Sequence, residues 1–264
     1  MEATDKQVFD MRYYLLVMVS QHKGNWDLVI EDLKNKREIT SEEVQKYKSE
    51  AGSFVSLIDQ DYPERLKQSY KPPLVVFYDG DFNVIKEAKH LITIVNEFRA
   101  TLYATETIQN ICSGLIDKCT FVIPFGAKNN NDLIRYLLSK GASIVAVLDR
   151  GIGVDNAEDK ELYEMLKKNQ VIVSSLPNSV GKRSPETAFE CSKLCVGLSK
   201  SVLVGAVSRK SYLNAVIALG LQQNNDFYCI PFPVGSNYIT NQLIHDGATL
   251  VESSEMLAFD AELD

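Results

Sequence analysis

Ser143-Ile144-Val145-Ala146-Val147-Leu148 decides the fold class. The run carries no charge, is rich in β-branched residues and is too short for a helix, so it reads as a strand. Its apolar residues do not alternate with polar ones, and a strand of that kind must be covered on both faces, as inside a parallel sheet. The next apolar run, Val171 to Ser174, follows the amphipathic stretch Asp159 to Lys168, completing a strand, helix, strand unit. Working outward, the same alternation recurs. Strands are predicted at Leu74 to Tyr78, Leu91 to Val95, Phe121 to Ile123, Val202 to Val204, Phe227 to Ile230 and Thr249 to Val251, and helices at Asn131 to Lys140, Glu186 to Leu198 and Ser211 to Gln222. Short buried strands joined by helical crossovers call for an α/β fold with a doubly wound, mostly parallel sheet.

This pattern makes residues 74–251 an extended Rossmann-like domain without internal repeats. Ahead of it, residues 1–50 form a small helical unit. Met11, Tyr14, Leu15 and Met18 repeat at helical spacing, Trp26, Val29, Ile30 and Leu33 make a second stripe, and Thr40-Ser41-Glu42-Glu43 has the cap-and-acid signature of a third helix start. Residues 51–73 read as a linker or docking segment, with an extended Phe54 to Tyr62, a short helix at Pro63 to Ser69 and the Lys71-Pro72-Pro73 turn. Residues 252–264 form an acidic tail. A composition of 45% apolar and 24% charged residues excludes disordered, collagen-like and coiled-coil classes. No apolar run approaches the ~18 residues of a membrane span. The start carries Glu2 and Asp5 in place of a basic leader, and five cysteines without zinc-type spacing fit a reducing compartment, so a cytoplasmic location is expected.

A net charge of −7 argues at first against a nucleic-acid ligand. The acidic tail holds Glu252, Glu255, Asp260, Glu262 and Asp264 and no base, so the rest of the chain carries −7 − (−5) = −2 and can still present a basic face. In open α/β sheets ligands bind outside the carboxyl ends of the strands. The loops there contain Arg99, Lys128, Lys182, Arg183, Arg209 and Lys210, against Glu97, Asp149 and Asp155. An anion is the expected guest, with helix starts adding partial positive charge; the alternative is that surface bases simply favour loops. Neither G-x-x-x-x-G-K-[ST] nor G-x-G-x-x-G occurs, which leaves nucleotide hydrolysis and dinucleotide binding unsupported. Gly151-Ile152-Gly153 reads as a tight turn that needs positive φ. His22, His90 and His245 are too scattered for a triad or a metal site, and Cys191 and Cys195 read as small packed hydrophobes. No catalytic residue, metal or cofactor is called for.

Three stretches, in chain order, resemble the DprA/Smf family of DNA-processing proteins. They are Tyr62-Pro63-Glu64-Arg65-Leu66-Lys67 with Pro72-Pro73-Leu74 and Tyr78-Asp79-Gly80-Asp81, then Gly197-Leu198-Ser199 with Val202-Leu203-Val204, then Asn241-Gln242-Leu243-Ile244-His245-Asp246-Gly247-Ala248. The resemblance implies a Rossmann-like protein that binds single-stranded DNA without cleaving it, dimerises, and hands the strand to the RecA recombinase in natural transformation. It also implies that the helical N-terminus is the SAM-like accessory domain of many members. The departures fall on the phosphate loops. The family's V-G-S/T-R-x-x-S appears as Val95-Asn96-Glu97-Phe98-Arg99-Ala100-Thr101, S-G-L-A as Pro124-Phe125-Gly126-Ala127, and the last arginine of F-P-x-R-N-R as Lys193.

The expectation is a divergent, non-catalytic single-strand binder. Arg99, Thr101, Lys128, Lys182, Arg183, Lys193, Arg209 and Lys210 are the phosphate candidates. Phe98, Phe125 and Phe232 are candidates for base stacking, with core packing under the loops as the alternative. Glu97, in the first loop, is expected to repel a phosphate and act as a brake on affinity. Two other readings compete: an enzyme or sensor for a nucleotide-like small molecule, for which the P-G-G-x-G-T loop of related phosphoribohydrolases is missing, and a remnant that has lost DNA affinity.

Overall fold

The computed structural model describes residues 2–97 and 100–260. Three helices open the chain: α1 (Glu2–Gln21), α2 (Trp26–Lys34) and α3 (Ser41–Ala51). Thr40 and Glu43 form the capping box that starts α3, each side chain taking the other residue's backbone N–H. There follow β1 (Ser53–Ser56), α4 (Glu64–Lys67), β2 (Val75–Gly80), α5 (Asn83–Lys86), β3 (Leu91–Val95), α6 (Leu102–Ser113), β4 (Thr120–Phe125), α7 (Lys128–Ser139) and β5 (Ser143–Leu148). The rest of the chain gives α8 (Lys160–Asn169), β6 (Val171–Ser174), α9 (Pro185–Leu198), β7 (Ser201–Val204), α10 (Leu213–Gln222), β8 (Asp226–Cys229), α11 (Thr240–His245), β9 (Thr249–Leu250) and α12 (Ser254–Asp260).

All nine strands join one sheet in the order β1-β2-β6-β5-β4-β3-β7-β8-β9. From β6 to β9 every pairing is parallel, while β1 with β2 and β2 with β6 are antiparallel. The sheet is therefore doubly wound and mostly parallel, with helices on both faces. Alternation along β5 shows why its strand is apolar throughout. Ile144, Ala146 and Leu148 pack with α1, α6 and α7, whereas Val145 and Val147 pack with Leu194 and Leu198 of α9. Val202, Val204, Val216, Ile217 and Phe227 build a third cluster around α10.

Leu15 to Val19 of α1 share the core with Phe77 and Ile144, so the N-terminal helices dock directly on the sheet. Trp26 Nε1 donates to the Pro72 carbonyl at 3.1 Å, and Arg12 Nη2 to the Phe54 carbonyl at 2.9 Å. Within the segment expected to link the two parts, β1 forms the sheet edge; the tail expected from its acids contains α12, whose Leu257 is fully buried. Helix α6, which the periodicity does not single out, is amphipathic through Ala104, Ile108 and Ile111. No helix among the described residues is long and apolar enough to cross a membrane.

Candidate nucleic-acid interface

Chain order reverses at the centre of the sheet, where β3 pairs with β4 on one side and with β7 on the other. The outgoing loops diverge there and leave a crevice of about 460 Å³ at the carboxyl ends of the strands. Asn96 and Glu97 line it after β3, Pro124 and Phe125 in β4, Asp149 after β5, and Ser208 and Lys210 after β7, with Cys191 and Ser192 of α9 beneath.

Backbone and side-chain bonds stitch the first and last of these loops together. Asn96 Oδ1 accepts from Ala206 N at 2.9 Å, and Glu97 N donates to the Ala206 carbonyl at 3.0 Å. Gly205 N reaches the Val95 carbonyl at 2.9 Å. The Ser208 hydroxyl then donates to Glu97 Oε1 at 2.9 Å, while Asn129 Nδ2 donates to the Glu97 carbonyl at 2.9 Å. That leaves Asn129 Oδ1 buried without a partner among the described residues. Each contact fixes a polar group at the crevice without saturating it.

Asp149 is the electrostatic hub. Its side chain is 7% exposed and takes Arg150 Nε at 3.0 Å and Arg183 Nε at 2.9 Å. Arg150 also reaches Glu158 Oε1 at 2.9 Å. Lys182, Arg209 and Lys210 are exposed and have no ion-pair partner among the described residues. Below them the Cys191 thiol donates to the Val147 carbonyl at 3.2 Å, and its hydrogen bond with Cys195, then burial, hold it well above the usual thiol range. A thiol so held is a poor nucleophile.

The model of the DNA recombination-mediator protein A family matches residues 53–261. This chain belongs to that family. It is 23% identical over 221 residues to the DNA processing protein DprA of Streptococcus pneumoniae strain R6, an alignment covering 81% of this chain and 74% of that one. With the Bacillus subtilis DprA it shares 22% over 214 residues, covering 79% and 71%. Among solved structures it superposes on the Streptococcus pneumoniae DprA with a TM-score of 0.77 at 17% identity, covering 94% of this chain and 95% of the other. The corresponding figures for DNA processing protein A from Helicobacter pylori, whose structure addresses its own single-stranded DNA binding mode, are 0.68, 15%, 80% and 97%.

In this family member the candidate residues separate into distinct places. Arg183 and Lys210 line the crevice, with Lys182 and Arg209 exposed in the adjoining loops. Lys128 is directed along its own helix, with Nζ 2.6 Å from Asp132. Lys193 does not belong here: it is buried, pairs with Glu190 Oε2 at 2.6 Å, and lines a different cavity between α9, α10 and the N-terminal helices. Phe125 is a core residue, 1% exposed and packed near Tyr163 with ring centroids 6.4 Å apart, so it offers no stacking face. Phe232 is 8% exposed and covered by Tyr103 and Tyr238, whose ring centroids lie 5.4 and 4.4 Å from its own. Thr101 caps α6 by accepting from Ala104 N at 3.2 Å. Phe98 and Arg99 lie outside the described residues.

Three crevice residues were not found by reading bases and aromatics in loops. Tyr212, half-exposed just before α10, lines the crevice, and Asn129 and Ser208 shape its polarity. The turn reading of Gly151 and Gly153 divides in two. Gly153 has φ +137°, whereas Gly151 is required by close approach, since a Cβ there would stand 2.2 Å from the Pro177 carbonyl oxygen.

Proposed function

We propose that this protein binds single-stranded DNA at the crevice between the β3 and β7 ends, without cleaving it, and passes the strand to a RecA-type recombinase. The observation that carries the reading is the placement of Lys210, a cation with no ion-pair partner among the described residues, together with Arg183 at the switch-point crevice of a chain in the DNA recombination-mediator family. Lys182 and Arg209 extend the basic rim. Polar side chains, a buried and poorly nucleophilic thiol, and an Asp already engaged by two arginines support a binding role, with no activated nucleophile among the described crevice residues. The homodimer expected from the sequence, and a cytoplasmic location, are parts of the same proposal.

Titration of a fluorescent oligothymidylate at low and physiological salt tests it, with a nucleotide-hydrolysis assay alongside. Expected is salt-sensitive binding without turnover, the slope of log K against log salt falling by about 0.7 per phosphate engaged. Lys210→Ala removes one such contact and flattens the slope by about 0.7. Turnover without strand binding would favour the small-molecule reading, and inactivity in both assays a remnant. Sedimentation at micromolar concentration checks the dimer, and a monomer alone would count against it.

A further inference from the structure

We propose that the cavity between α9, α10 and the N-terminal helices binds a short zwitterionic peptide, two or three residues long, with apolar side chains. This cavity shares no lining residue with the crevice, and the inference stands whether or not the crevice holds DNA.

At about 640 Å³ the cavity is larger than the crevice of about 460 Å³. It lies where the helical unit meets the sheet domain, and junctions of that kind are favoured places for small-ligand sites. The lining carries Lys23, Lys71 and Lys193 against Asp27, Glu186 and Glu190. Two pairs close within the protein: Lys71 Nζ stands 2.7 Å from each Asp27 carboxylate oxygen, and Lys193 Nζ stands 2.6 Å from Glu190 Oε2. Lys23 and Glu186 have no ion-pair partner among the described residues. Equal numbers of either sign give no net attraction for a polyanion such as a DNA strand. They complement a ligand that carries one charge of each sign.

Lys193 is the anchor. Its side chain is 10% exposed and its partner among the described residues is Glu190, so part of its capacity of three N–H donors is left open beside the cavity. A buried ammonium in that state calls for an acceptor from whatever fills the space, and a carboxylate is the strongest. Glu186 stands seven positions earlier on α9, which puts it on nearly the same face of the helix and about 10.5 Å away along the axis. An extended peptide advances about 3.3–3.6 Å per residue, so two or three residues carry an ammonium to Glu186 while the carboxylate stays on Lys193. A single amino acid is too short to reach both.

Rings and small residues leave room for the side chains. Trp26 and Phe189 line the cavity together with Tyr70, which is 60% exposed. Trp26 is held by its bond to the Pro72 carbonyl and by Lys71, whose Nζ lies 5.2 Å from the ring centroid. Helix α10 contributes Ala215 and Ala218, both exposed, where longer side chains would take up the space.

Trp26 is the single tryptophan of the chain, so its emission is a probe placed in this cavity. The experiment titrates that emission in the full chain with the dipeptide leucylphenylalanine, which contains no indole. A saturable change below about 1 mM is expected. The C-terminal amide and the N-acetyl form of the same dipeptide should each bind about tenfold more weakly, because each leaves a charged group of the cavity without its partner. Lys193→Met, which keeps the length of the side chain and removes the ammonium, should bring the dipeptide and its amide to within about twofold of each other. Ala218→Phe, a change at an exposed helical position, should weaken the dipeptide about tenfold by filling the space, and keeps the test open if the Lys193 variant fails to fold. No change in emission up to about 10 mM overturns the site. Equal binding of the dipeptide and its amide by the parent protein overturns the role given to Lys193, and equal binding of the N-acetyl form overturns that of Glu186. A response that Ala218→Phe leaves intact places the ligand elsewhere and overturns the inference as well.

Discussion

Removing Asp149 should lower stability and raise DNA affinity together. The Asp149 side chain is 7% exposed and that of Arg150 is 10% exposed, so Asp149→Ala strands a buried guanidinium. Breaking a buried pair by deleting one partner costs about 3–5 kcal/mol. Two features place this case at or below the low end. Glu158 remains 2.9 Å from Arg150 Nη2, and Arg183, being 45% exposed, contributes little through its own pair. The expected loss is about 2–3 kcal/mol, which for a chain of this size lowers Tm by about 5–10 °C. The same substitution frees Arg183 Nε at the mouth of the crevice. One more cation available to the backbone should steepen the salt slope by about 0.7 and tighten binding at low salt. Urea denaturation and fluorescence titration of the same preparation measure both quantities, and Asp149→Asn, which retains a hydrogen-bond acceptor, should show a smaller stability loss. A stability change within about 0.5 kcal/mol, the range of ordinary surface substitutions, would refute the buried hub. An unchanged or flatter salt slope would show that Arg183 does not reach DNA.

Phe125→Ala should destabilise by about 3–5 kcal/mol, as a core aromatic does, and denaturant midpoints equal to those of the parent would contradict its placement under the loop. Hydrogen bonds from His22 and Arg37 hold the Asp32 carboxyl below its usual range. A depressed folded-state value contributes stability above the unfolded pKa that disappears as pH falls through the folded one, so stability should decline below about pH 4, and less so in Asp32→Asn. Superimposable acid limbs for the two proteins would dispose of that link. All five cysteines are buried, and burial pushes the Cys119 and Cys229 thiols up to about 12. A thiol reagent at about pH 8 should therefore label the protein only at the rate at which it opens, and immediate labelling of any cysteine in the native protein would be the contrary result.

Strands buried on both faces leave their mark on composition, which is why β3, β5 and β6 could be placed to the residue from apolar runs alone. The edge is harder to read. Strand β1 has four residues and follows Gly52, so its propensity is slight and its existence depends on pairing Val55 with Val76 and Phe54 with Phe77. The tail misleads for a related reason: its acids dominate the composition, while Leu257 is what anchors α12 against the core. In each case a long-range contact overrides a local signal.

The site was legible in position and much less so in character. Switch-point logic needs only strand order, and the loops after β3, β4, β5 and β7 that it selects do line the crevice, whereas the loop holding Phe232 lines a separate cavity. Charge is different, because a base in a loop acts on a ligand only if no carboxylate has claimed it, and that is settled by tertiary structure. Lys128 is claimed by Asp132 one helical turn away, a pairing that i,i+4 spacing already contains. Arg183 is claimed by Asp149 across 34 positions, and no local pattern reveals that. Lys182, Arg209 and Lys210 have no such claim on them among the described residues, while the crevice is also lined by Glu97, held by Ser208, and by Asn129, whose Oδ1 has no partner among the described residues. A cation of that kind would add affinity for any strand alike, since phosphate contacts carry no sequence information.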